Sequence, residues 1–129
     1  MSLTPQDKLE IQELSSKYAI AMDEGKLEDW MQTWAKNGIW EGGVGKFSGE
    51  NLKDLLPTLG DRIRGKRHIM TNFVITGEGN FAEQKCYLLI IDIAKKAMPG
   101  TALYLDKLEK IDGNWLFVER KVTIDMAPV

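Results

Sequence analysis

The feature that most constrains this chain is a change of period at about Lys66. Beyond it lie four runs rich in β-branched and aromatic residues: His68 to Ile75, Phe81 to Ala94, Ala102 to Lys110 and Trp115 to Ile124. Residues of that kind suit a pleated, half-buried surface. Gly77-Glu78-Gly79-Asn80, Pro99-Gly100 and Asp112-Gly113-Asn114 separate the runs, and each carries the chemistry of a hairpin turn. The preceding half is patterned differently. Thr4-Pro5-Gln6-Asp7 opens a helix: threonine caps, proline suits the first turn, and aspartate favours the positive end. Ile11, Leu14, Tyr18 and Met22 then recur at spacings of three and four, one buried stripe ended by Gly25. A second short helix is expected to carry Leu27, Trp30, Met31 and Trp34 on one face. A brief strand, Ile39 to Glu41, and a glycine-rich loop, Gly42 to Gly45, lead to a third helix with Leu52, Leu55 and Leu56. Pro57 and Gly60 shorten or bend that helix. Helices first and a meander of strands afterwards predict an α+β fold, with helices packed on one face of an antiparallel sheet.

Composition narrows the function classes. A chain of 129 residues reads as one domain, 1–129, large enough for a core without cross-links. With 43% hydrophobic and 28% charged residues it has the balance of a globular protein. A formal charge of −2, with no basic run, predicts neither a nucleic-acid nor a membrane partner. The longest apolar stretch, Leu88 to Ala94, is broken by Asp92 and is too short to cross a bilayer. Met1-Ser2-Leu3-Thr4-Pro5 lacks the basic and apolar regions of a signal peptide, so a cytoplasmic location is expected. One cysteine excludes an intramolecular disulfide, and one histidine beside it leaves no ligand set for structural zinc. No metal and no cofactor are expected.

Few residues remain that can carry chemistry. His68, the only histidine, opens a strand on which alternation places it with Met70, Asn72 and Val74. It reads either as a histidine satisfied at a strand end or as a general base facing a cavity. Asp23 ends the first helix, five residues after Tyr18. A carboxylate there opposes the helix dipole and calls for a partner, which solvent, a cation or His68 could supply. Arg120 is expected on one face with Leu116, Val118, Val122 and Ile124, where an unpaired guanidinium would be costly. Asp106 is the expected partner, because the Asp112-Gly113-Asn114 turn folds its strand back on that of Arg120. A structural ion pair is favoured there over a substrate contact. Gly43-Val44-Gly45-Lys46-Phe47 resembles a phosphate loop but has Phe47 where serine or threonine is needed, and Trp40 where the leading glycine should stand. Cys86, in line with Leu88 and Ile90, reads as a small buried thiol.

In this order, Tyr18-Ala19-Ile20-Ala21-Met22-Asp23-Glu24-Gly25, Trp30 with Trp34-Ala35, Gly38-Ile39-Trp40 and Arg67-His68-Ile69-Met70-Thr71-Asn72 resemble the SnoaL-like branch of the NTF2-like superfamily. Tyr104-Leu105-Asp106-Lys107-Leu108, Asp112-Gly113-Asn114-Trp115 and Arg120 extend the resemblance over nearly the whole chain. It implies a cystatin-like cone, a curved antiparallel sheet packed on N-terminal helices around an apolar pocket. Scytalone dehydratase, the bile-acid 7α-dehydratases and the hexachlorocyclohexane dehydrochlorinase are the functional relatives it suggests. In that group a helix aspartate and a strand histidine form a base dyad, matched here by Asp23 and His68. Tyr18 matches the tyrosine of the bile-acid dehydratases, and Arg120 the pocket arginine of the dehydrochlorinase. A second histidine, present in scytalone dehydratase, has no counterpart.

Two functions follow as expectations. The first is a cofactor-independent lyase or isomerase, dehydratase-like, acting on a small hydrophobic molecule. His68, Asp23 and Tyr18 would be catalytic, and Arg120, Trp30, Trp34, Trp40, Met70, Asn72, Phe73 and Leu103 would line the substrate pocket. The second is a non-catalytic module that binds a small molecule or serves assembly. The resemblance implies a homo-oligomer in either case, a dimer or a trimer.

Overall fold

A computed structural model describes residues 1–126. Helix α1 spans Pro5–Asp23 and α2 spans Leu27–Met31. Strands β1 (Trp34–Gly42) and β2 (Gly45–Ser48) form a hairpin. A 3-10 turn, Gly49–Asp54, runs into α3 (Leu55–Leu59), and a second, Gly60–Arg62, follows. Strands β3 (Lys66–Glu78), β4 (Phe81–Asp92), β5 (Ala97–Ile111) and β6 (Asn114–Met126) are the long meander. One curved sheet of order β2-β1-β6-β5-β4-β3 results. Its pairings are antiparallel except for β1 against β6, which is parallel.

Helix α1 begins where its sequence dictates. The Thr4 hydroxyl accepts from the Asp7 backbone N–H at 3.0 Å, and the Asp7 carboxylate accepts from the Thr4 N–H at 3.0 Å, a reciprocal capping box. That carboxylate also takes the Trp115 indole N–H at 3.1 Å and Lys110 Nζ at 3.4 Å, fastening the helix start to β5 and β6. The Thr4 backbone bond, then the Trp115 and lesser bonds outweigh burial and hold its pKa at about 2. The apolar stripe of α1 buries Ile11, Leu14, Tyr18 and Met22 against the inner sheet face.

Four expectations differ from what is observed. Trp34 is not on the second helix. The chain turns at Gln32, where the Thr33 hydroxyl bonds the Trp30 carbonyl, and the Phe117 N–H draws the Thr33 carbonyl beside β6. The brief strand at Ile39 is therefore the second half of a longer one, and Gly38 lets it pass Trp34: a Cβ there would stand 2.6 Å from the indole. Pro99-Gly100 lies within β5, not at a turn. The chain reverses before it, between Asp92 and Ala97, and Pro99 occupies an irregular stretch where its missing N–H is not required.

The fourth difference concerns alternation. Residues Asn72 and Phe73 together oppose Cys86, a bulge in which Asn72 takes φ 60°. His68 and Met70 face inward before the bulge, and Phe73 and Ile75 after it, leaving Asn72 and Val74 exposed. A second irregularity at Val118 turns Trp115 and Phe117 inward before it and Arg120 and Val122 after it. Arg120 therefore does not share a face with Leu116 and Val118.

Candidate active site

Asp23 and His68, forty-five positions apart, are in contact. Strand β3 is an edge of the sheet, so alternate backbone N–H groups along it point away from β4. The end of α1 packs over that edge, and the Asp23 carboxylate accepts the His68 backbone N–H at 3.0 and 3.2 Å. Its Oδ1 also lies 2.6 Å from His68 Nδ1. One carboxylate thus holds both the main chain and the ring, and Nδ1 donates when it carries the imidazole proton. The lone pair is then left on Nε2. The same contact supplies the partner that an acidic residue at a helix C-terminus requires. Both side chains are over nine-tenths buried.

Deeper inside stands a second pair. Arg120 Nε and Nη2 donate to the two oxygens of Asp106 at 2.7 and 2.8 Å, a bidentate geometry between side chains with no solvent exposure. Gln84 donates to Asp106 at 2.8 Å and to the Ser15 hydroxyl at 3.0 Å. Gln84, Asp106, Arg120 and Trp40 are consecutive partners across β4, β5, β6 and β1, a single polar row. The guanidinium lies 4.1 to 4.5 Å from the ring centres of Tyr18, Tyr104 and Phe117. Burial works against its charge, but Asp106 outweighs that and raises its pKa above the usual arginine value. Ser15 and Gln84 escaped the sequence reading. Gln84 was detectable, as a polar residue on the inward alternation Ala82, Cys86, Leu88.

The aromatic candidates gather around this row. Trp30, Trp34 and Trp40 are all buried, and Tyr18 packs 5.5 Å from Trp30 and 5.6 Å from Phe117 between ring centres. Burial raises the Tyr18 phenol, while the adjoining Arg120 and Trp40 oppose that shift. The Tyr18 hydroxyl and the three indole N–H groups have no hydrogen-bond partner among the described residues. Met70 and Phe73 are half-buried and pack on the core. Two pocket candidates fall elsewhere: Asn72 is exposed at the bulge, and Leu103 stands on the outer sheet face between Tyr87 and Thr123. Strand alternation accounts for Leu103, because its neighbours Ala102 and Tyr104 point inward. Cys86 is buried, and burial pushes its thiol up to about 12, which leaves it protonated and inert.

A groove of about 870 Å³ runs between α1, α2 and the β5–β6 turn, and Asp23 and His68 do not line it. Among the described residues no group of three His, Cys, Asp or Glu side chains is placed to hold a metal ion. No described helix is long and apolar enough to cross a membrane.

A curved mixed sheet with helices across its inner face places the chain in the NTF2-like, cystatin-like class of α+β proteins. Residues 4–121 match the SnoaL-like domain, and the chain belongs to that family. A Nostoc punctiforme protein of unknown function with a cystatin-like fold is 32% identical, with a TM-score of 0.94 over 97% of this chain and 96% of that one. A Novosphingobium aromaticivorans protein described as a candidate scytalone dehydratase is 22% identical, with a TM-score of 0.80 over 93% of this chain and 85% of that one. LinA is 19% identical, with a TM-score of 0.79 over 96% of this chain and 90% of that one. At those identities the last two establish the fold alone. No curated protein gives a significant match.

Proposed function

We propose that this chain is a cofactor-independent lyase or isomerase, dehydratase-like, acting on a small hydrophobic molecule with His68 as general base. The observation that carries the reading is the Asp23 carboxylate on both the backbone N–H and Nδ1 of His68. It fixes the ring and favours the tautomer with a basic Nε2, and it stabilises the imidazolium once a proton is taken. Nε2 removes a proton from carbon, and the C–H electron pair becomes a new C=C bond. In a lyase the group on the neighbouring carbon departs with its bonding pair, as chloride or, when it is a hydroxyl that takes a proton, as water. In an isomerase the carbonyl π pair moves onto its oxygen as that C=C bond forms, and the C=O bond is restored when the His68 imidazolium returns the proton at another carbon. Tyr18 donates to the oxygen that gains charge. Met70, Phe73 and the indoles of Trp30, Trp34 and Trp40 form the apolar wall. Residues 1–129 act as one domain in this reading.

The test is turnover of a panel of β-hydroxy ketones, β-chloro compounds and unsaturated ketones by wild type and His68→Ala. Wild-type turnover that His68→Ala abolishes, with the circular dichroism spectrum unchanged, is the expected result. Equal activity in the variant removes the proposal.

A specific observation favours a second reading, assembly. Ile69, Tyr87 and Leu105 on the outer sheet face are 45%, 48% and 45% exposed, and Leu89 and Leu103 lie between them. A homo-oligomer, dimer or trimer, that covers this face should dissociate in Tyr87→Glu when followed by sedimentation. A monomeric wild type sinks that reading.

A further inference from the structure

Met70 stands on the inward face of β3 between His68 and the Arg120–Asp106 pair. It follows His68 by two residues on the same strand face, a separation of about 7 Å. Its sulfur lies 3.9 Å from Arg120 Nη1, the guanidinium nitrogen that Asp106 does not take. Thioether sulfur is a weak acceptor, so this donor is poorly satisfied in a sealed environment. Two further buried donors adjoin it without partners, the Tyr18 hydroxyl and the Trp40 indole N–H. Three donors therefore adjoin one another where the protein supplies only that sulfur and the Tyr18 hydroxyl oxygen as acceptors. Met70 is half-buried while Arg120 has no exposure, and it packs on both apolar clusters of the core. An unbranched, three-torsion side chain in that position can swing aside at little cost.

We propose that Met70 is a displaceable plug over the Arg120–Asp106 pair, and that the ligand replacing its sulfur presents a neutral oxygen acceptor such as a ketone or ester carbonyl. Neutrality follows from the charges already present. Asp106 cancels Arg120 at bidentate distance, so a carboxylate or phosphate added beside them would be buried without a counter-charge. A carbonyl oxygen brings acceptor lone pairs without that cost, and the same donors strengthen their hold if the oxygen becomes an enolate. The inference rests on the pocket reading above and names its ligand class. The ligand must also reach from the Arg120 donor to His68, a span within one small molecule.

The test titrates the chain, methyl-labelled at methionine, with acetophenone, its isosteric hydrocarbon α-methylstyrene, and benzoate. Acetophenone is expected to move the Met70 methyl, Arg120 Nε–H and Trp40 indole signals. One hydrogen bond of ordinary net strength makes it bind about three- to tenfold tighter than α-methylstyrene. Met70→Ala widens that preference, and benzoate binds weakest of the three. Met70→Leu, which keeps bulk but lacks the sulfur acceptor, gives the same answer should Met70→Ala fail to fold. Equal affinity for ketone and hydrocarbon, tightest binding of benzoate, or an unmoved Met70 methyl overturns the proposal. These readouts need no turnover. They stand unchanged if the general base proves to be another group, and their failure leaves the turnover result intact.

Discussion

The two carboxylate–base pairs of this molecule share a chemistry and differ in everything that surrounds it. Asp106–Arg120 lies on neighbouring sheet strands in direct register, doubly bonded, stacked among three rings and braced by Gln84. Asp23–His68 joins a helix end to a sheet edge through one ring nitrogen and the main chain. In the first pair Arg120 keeps its charge near neutral pH, because Asp106 outweighs the burial that opposes it. The second is built on imidazole, the side chain whose charge responds to physiological pH. Depth and partner number thus separate a pair enclosed within the core from one held at the sheet edge.

The sharpest way to break that comparison is to remove one charge from each pair. Asp106→Asn leaves a buried guanidinium uncompensated and should cost about 3–5 kcal/mol of stability in chemical denaturation. Replacing both partners, Asp106→Leu with Arg120→Met, should recover much of that loss. If Asp106→Asn is nearly neutral, the inner pair is not the structural one. His68→Ala should lower turnover by about 10²–10⁴-fold with a much smaller change in denaturation midpoint. A large loss of stability there would make both pairs structural. Asp23→Asn keeps an acceptor oxygen but loses the charge and the unambiguous orientation of the ring, so its turnover should fall less, up to about 10²-fold.

A third carboxylate gives the smallest effect and a scale for the others. Asp7, at the opposite end of α1 from Asp23, sits at the favourable pole of the helix dipole. Its pKa falls from 3.8 to about 2 on folding, so its stabilisation is complete above 3.8 and is lost as pH falls towards 2. Asp7→Asn should flatten the acid limb of the stability curve in that window and leave turnover unchanged. An unaltered acid limb would show that the capping box contributes little.

Local signals made much of this legible in the sequence. The capping box at Thr4, the stripe to Met22 and the Asp112-Gly113 turn follow from spacing alone; the turn brings the strand of Asp106 back beside that of Arg120, but the bulge at Val118 sets their register. Asp23–His68 did not follow from spacing, because the two lie on different elements, and the match to a family pattern drew attention to them. The misplacements have a common cause. Bulges at Asn72 and Val118 reverse alternation, so the period-two reading put Asn72 in the pocket and Arg120 among the wrong neighbours. Trp34 fits a helical stripe, yet the tertiary hydrogen bond from Phe117 to Thr33 draws it into a strand. Pro99-Gly100 has the composition of a turn, but it can also sit in an irregular strand. Met70 carries no polar signal at all, and its place over Arg120 emerges only from the packing.

The central claim is that Asp23 fixes the His68 ring with its proton on Nδ1, leaving Nε2 as the base. Long-range proton–nitrogen correlation on the single histidine, at a pH where the ring is neutral, reads the tautomer directly. The wild type should show a protonated Nδ1 and a bare Nε2, a preference lost in Asp23→Asn. A wild type with its proton on Nε2, indistinguishable from Asp23→Asn, would contradict the account.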